Sequence, residues 1–144
     1  MWHDYLNKLT TDLTFFPPAG GQELARIVLE LGIELPDELG SILSESNGIH
    51  GEYGLGLLWD VSRIIEDNLR FRRSSEFSDL YMPFDHLLFF GDAGNGDQFA
   101  FTILRGGVTR SDIFVWNHED DSRSWIAPSL RTFYDWWLTG KITV

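Results

Sequence analysis

The densest run of groups able to do chemistry is FFGDAGNGDQFAF, Phe89 to Phe101. It holds three glycines, two aspartates and an asparagine between aromatic pairs. An EF-hand needs oxygen ligands at loop positions 1, 3, 5 and 12, with Gly at 6. Counted from Asp92, these are Asp92, Gly94, Gly96 and Ile103, with Asp97 at the glycine position, so only the first fits. Gly91 and Gly96 have the separation of a phosphate loop, but Asp97-Gln98 follows where Lys-Ser/Thr is required. The dinucleotide pattern fails as well, because Phe99 stands where its third glycine belongs. Turn chemistry remains. Asn95-Gly96 suits the positive φ angles of a tight hairpin, with Asp92 and Asp97 free for binding at its rim.

Other chemical groups are sparser. His118-Glu119-Asp120-Asp121 offers nitrogen and oxygen donors, yet consecutive loop residues seldom converge on one ion, and the second histidine of a zinc helix is missing. Glu66 and Asp67 diverge by about 100° on a helix, so they form no carboxylate dyad. There is no cysteine, and Ser41 lacks the Gly-x-Ser-x-Gly frame of an activated serine. Arg70-Phe71-Arg72-Arg73 is too short a basic run for nucleic acid. It reads as a helix C-terminus or as partners for nearby acids. The residues alone therefore point to no catalytic set, no metal and no cofactor.

Apolar spacing gives the elements that must position these groups. Trp2, Tyr5, Leu6, Leu9 and Leu13 predict a helix over 2–13, broken by Phe15-Phe16-Pro17-Pro18. A second helix runs from Gly21 to Leu31 and stops at Gly32. Pro36 opens a third, with Asn47-Gly48 as its stop and Gly40 weakening it. Tyr53–Trp59 reads as a strand. Asp60 then caps a helix carrying Val61, Ile64, Ile65 and Leu69, and 72–79 reads as a loop. Strands follow at His86–Phe90, Gln98–Leu104, Ile113–Trp116 and Arg123–Ala127. A last helix starts at Pro128-Ser129 and ends at Gly140. Helices first, then strands joined by hairpins, predict a single α+β domain over 1–144. Its sheet is mainly antiparallel, with a mixed sheet the alternative, and helices pack around it.

Charge narrows the partners. Twenty-two acids oppose eleven bases, a net charge of −11. No Lys or Arg occurs from Ile27 to Ser62 or from Ser74 to Leu104, while seven and five acids do. Such segments repel nucleic acid and anionic membranes and attract a basic protein. The N-terminal residues do not read as a signal peptide, and no apolar run is long enough to span a bilayer. Together with the missing cysteines, this sets the expectation of a cytoplasmic protein.

Ordered pieces of the chain resemble a known family. Phe16-Pro17-Pro18, Leu31-Gly32-Ile33-Glu34-Leu35-Pro36, Asn47-Gly48, Tyr53-Gly54, Trp59, Ile64 and Asn68-Leu69 come first. Phe89-Phe90-Gly91, Asn95-Gly96-Asp97, Val115-Trp116-Asn117-His118-Glu119, Ser129-Leu130 and Phe133–Trp137 follow. Together, over about 15–140, they resemble the SUKH superfamily, which includes fungal cell-wall-synthesis regulators of the Smi/Knr type. Gly40 and Asn117 depart from its usual bulky residue and aspartate. The resemblance implies an α+β domain with no shared catalytic residues, and a bacterial immunity protein that binds and neutralises a toxin, often a nuclease. Trp59 and Trp116 are expected in or near the core. The docking residues expected on an acidic face are Glu52, Tyr53, Asp92, Asp97, Glu119, Asp120 and Asp121. The alternatives are a regulatory interaction domain without a toxin partner, and a metal-dependent hydrolase using Asp97, His118 and Glu119.

Overall fold

The computed structural model describes residues 1–104, 107 and 110–144. Helix α1 spans Trp2–Leu9, strand β1 Thr14–Phe15, helix α2 Gly21–Leu31 and helix α3 Asp37–Leu43. Strand β2 (Ile49–His50), a 3-10 turn (Glu52–Gly54) and strand β3 (Gly56–Leu58) follow. Next come α4 (Val61–Arg73) and α5 (Ser75–Leu80). Strands β4 (Leu87–Asp92), β5 (Gln98–Thr102), β6 (Ile113–Trp116) and β7 (Arg123–Ala127) precede α6 (Leu130–Leu138). The fold is α+β with two antiparallel sheets, ordered β1-β2-β3 and β4-β5-β6-β7.

The sheets adjoin at β3 and β4. Phe90 is an extra residue in β4, between the Phe89–Ala100 and Gly91–Phe99 pairs. Such a bulge frees a backbone group from the ladder, and the Phe90 carbonyl accepts the Trp59 N–H at 2.8 Å. Gly91 permits this approach, since a Cβ there would lie 2.7 Å from the Leu57 carbonyl oxygen.

Both faces of β4 are covered. Phe89 faces Phe71 of α4, with ring centroids 4.7 Å apart, beside Phe84 and Trp116. Phe90 points the other way, to Phe101 and to Phe133 of α6. Hence Ala100 is buried as fully as Phe99 and Phe101, and β5 is no half-exposed strand. Asn68 sits mid-stripe on α4 and is 1% exposed. Its amide donates to the Phe89 and Ile64 carbonyls and accepts the Phe89 N–H, so one side chain stands in for a neighbouring strand. Tyr134 of α6 donates to the Leu57 carbonyl at 2.9 Å, and burial pushes its phenol well above the ordinary value.

Several boundaries differ from the sequence reading. Helix α1 ends at Leu9, because the chain turns extended at Thr10 and Thr14–Phe15 pairs with β2. Strand β3 is three residues rather than seven. Tyr53 adopts φ 58° in the preceding turn, and its ring points to solvent instead of sharing a face with Leu57 and Trp59. The expected loop over 72–79 is helical. Helix α4 runs to Arg73, whose neighbour Arg72 donates to the Leu31 and Leu87 carbonyls, and α5 follows. Gly40 sits close under Leu35, since a Cβ there would lie 3.1 Å from the Leu35 side chain, which would have to shift slightly to admit it. The Gly32 stop and the Asp60 cap are as read: Gly32 has φ 66°, and Asp60 accepts the Arg63 N–H at 2.8 Å.

Candidate functional site

The antiparallel register brings two turns to one end of the four-stranded sheet. Gln98 pairs with Trp116, so the β4–β5 turn over 93–97 and the β6–β7 turn over 117–122 lie side by side. In the first, Gly94 and Gly96 supply positive φ at 99° and 101°. Asn95 does not: its side-chain oxygen instead accepts the Asp97 N–H at 3.0 Å. In the second, Asn117 Oδ1 accepts the N–H groups of Glu119 and Asp120, and Asp121 takes φ 62°. An aspartate at 117 would keep these bonds, so the departure to Asn changes charge more than shape.

Asp97 clips the turns together. It is 5% exposed and accepts both the His118 N–H at 3.1 Å and a His118 Nδ1 contact at 2.6 Å. Gly96 makes room, since a Cβ there would be 2.8 Å from the imidazole. Asp92, at the end of β4, forms a bidentate pair with Arg63 of α4 at 2.8 and 2.9 Å. Arg63 also lies 4.1 Å over the Trp59 ring and pairs with Asp67. Burial lowers the Arg63 pKa, but bonds to Asp92 and Asp67 outweigh it and leave the guanidinium above its ordinary value.

Asp121 holds a third junction. It accepts from the Met82 N–H, Trp116 Nε1 and Arg123, all at 2.8 to 2.9 Å. Burial pushes its carboxyl up, yet those donated bonds prevail and hold it below the ordinary carboxylate range. Arg123, itself buried, continues to the Met82 and Pro83 carbonyls.

The seven candidate residues therefore divide. Asp92, Asp97 and Asp121 are tied into the frame by internal partners. Glu52, Tyr53, Glu119 and Asp120 face solvent, Asp120 while accepting the Ser122 N–H at 2.9 Å, and Tyr53 is 98% exposed. The Glu52–Gly54 turn approaches the same rim, because Leu55 packs beside Gly94, where a Cβ would be 3.4 Å from its side chain. The structure thus gathers Asp92, Asp97, Glu119 and Asp120 along one edge, with Asp121 beneath the β6–β7 turn and the Glu52–Gly54 turn reaching only the β4–β5 side of it. Asp97 and His118 of the hydrolase alternative meet, while Glu119 turns outward. Among the described residues, no three His, Asp or Glu side chains converge as a metal cluster. A cleft of ≈ 370 Å³ lies at the opposite end of the sheet, lined by Glu34, Asp37, Phe101 and Arg110.

Sequence reasoning missed Arg63 and Arg123 as residues organising this edge, and Asn68 as the one that fixes β4 on α4. The one available signal was an asparagine inside the apolar stripe of α4. No helix of the described residues is long and apolar enough to cross a membrane. No curated protein matches the chain. The model of the SUKH_6 family, described as SMI1-KNR4 cell-wall, matches residues 22–133. That match spans α2 through the first turn of α6, including every strand of the four-stranded sheet and both of its rim turns, and the chain belongs to this family.

Proposed function

We propose that this protein is an immunity protein that binds a basic toxin domain, such as a nuclease, and neutralises it by occluding its active site. The carrying observation is the division among the rim residues. The frame consumes Asp92, Asp97 and Asp121, while Glu52, Glu119 and Asp120 stay in solvent, as does Tyr53, whose ring packs on nothing. A nuclease site shaped for a polyanion is cationic. Exposed carboxylates steer such a surface into contact, and a rigid aromatic supplies desolvated contact area. The binding reading needs no catalytic group, and family membership is consistent with it.

The test uses toxin domains encoded next to this chain's gene, with association followed at low and high salt. One domain is expected to bind and lose its activity, with an association rate that falls steeply as salt rises. Glu119→Gln with Asp120→Asn should slow association several-fold, and Tyr53→Ala should mainly speed dissociation. A tight complex whose association rate ignores salt overturns steering by this rim.

The family description names the cell wall, which favours a second reading: a regulatory interaction domain with no toxin partner. An adjacent toxin gene that yields an inhibited complex selects the first reading.

A further inference from the structure

Outside the rim residues, α5 and the segment after it carry an unusual surface. Leu80 and Met82 are 70% and 61% exposed, on either side of Tyr81. Tyr81 turns inward, with its ring against Trp116 and Phe84 and its hydroxyl donating to the His118 carbonyl at 3.1 Å. The backbone between is held fast. The Met82 N–H donates to Asp121, and the Met82 and Pro83 carbonyls accept from the buried Arg123. Two large apolar side chains thus stand in water on a segment that cannot fold them away.

Their surroundings are acidic. Asp79 precedes Leu80, Asp85 follows Met82 by three residues, and the Asp121 bond brings the Glu119–Asp120 turn alongside. These four carboxylates are exposed, and no salt bridge engages them among the described residues. Arg123, the cation bonded to this segment, is buried beneath it.

We infer that Leu80 and Met82 form a pre-organised apolar platform, rimmed by carboxylates, that docks a cationic amphipathic segment of a protein partner. Charge complementarity selects this occupant. A neutral apolar surface would leave the carboxylates desolvated and unpaired, whereas lysines flanking an apolar stripe pair with them as the stripe covers the platform. Fixing the platform in advance lowers the ordering cost of binding, and methionine adapts to irregular partner surfaces. The proposal rests on the binding reading and extends it from the rim, with which it shares Glu119 and Asp120, onto an adjoining apolar surface; its test does not require a toxin.

The chain contains only two methionines, Met1 and Met82. Methyl-13C-methionine labelling therefore gives two signals, assigned with Met82→Leu. The probe is a Leu/Lys amphipathic peptide, with a Leu/Glu peptide of the same length as control. The Met82 signal should shift in a saturable manner with the Lys peptide, with Met1 unmoved and the Glu peptide inert. Asp79→Asn with Glu119→Gln and Asp120→Asn should weaken binding at least five-fold, while Glu30→Gln with Glu34→Gln should change it less than two-fold. Leu80→Ser should weaken it comparably without altering the methyl spectrum of the free protein. Equal shifts at both methionines, equal response to both peptides, or no shift overturns the platform. A platform that binds the peptide while no toxin binds the protein overturns the immunity reading alone.

Discussion

Tyr53 holds φ 58° while its ring lies almost wholly in solvent. A bulky residue in the left-handed region costs roughly 1–2 kcal/mol, and no internal contact of this ring offsets it. Asparagine tolerates that region. Tyr53→Asn is therefore expected to leave stability unchanged or raise it by about 0.5–1 kcal/mol in urea denaturation, while weakening the proposed complex. A loss of more than about 1 kcal/mol would mean that the ring serves the fold instead. Asp121 is the opposite case, with φ 62° and every contact internal. Asp121→Asn keeps the backbone tolerance and removes the charge facing buried Arg123, at a cost of about 2 kcal/mol near pH 7. The folded-state pKa of Asp121 is depressed, so its contribution is present above the unfolded carboxylate value and disappears as pH falls through the folded one. Melting curves of the two proteins should converge as pH drops below about 4. A gap that stays undiminished as pH falls well below that value would show that the loss is steric.

At the scale of elements, Asn68 decides how α4 meets the sheet. Its three bonds to Phe89 and Ile64 lie wholly within the interior. Asn68→Ala strands the Phe89 N–H and carbonyl, and should cost about 2–4 kcal/mol by chemical denaturation. A loss below about 1 kcal/mol would mean that water replaces the amide. The same elements show what a sequence discloses. Helices α2, α4 and α6 were legible because their apolar stripes and their stops or caps, Gly32, Asp60 and Ser129, act locally. Strands β4 to β7 were legible from their apolar residues and intervening turns. The short first sheet was not. Thr14–Phe15 and Ile49–His50 are strands only because they pair across the fold, and two residues carry no period to read. Helix α5 was hidden by its serines and acids, which favour loops in isolation, while Phe77 anchors it on Phe71 with ring centroids 5.0 Å apart.

For the whole molecule, acids outnumber bases two to one, and many of the surplus carboxylates stand in solvent. Self-repulsion of this kind is screened by salt, so adding about 0.3 M NaCl at pH 7.5 should raise the Tm. A fall would mean that exposed ion pairs matter more than repulsion. The position of the candidate edge was legible in part. The sequence pointed to both rim turns, but composition cannot say which aspartates will find a cation or an amide once the chain is folded. Asp92 depends on Arg63, 29 positions earlier, and Asp97 on His118, 21 positions later. That dependence has an evolutionary corollary. With the hairpins locked together from within by Asp97, the exposed side chains of Glu52, Tyr53 and Glu119 hold little of the scaffold in place. Substitutions at those positions can therefore accumulate one codon at a time, with a working fold kept at each step.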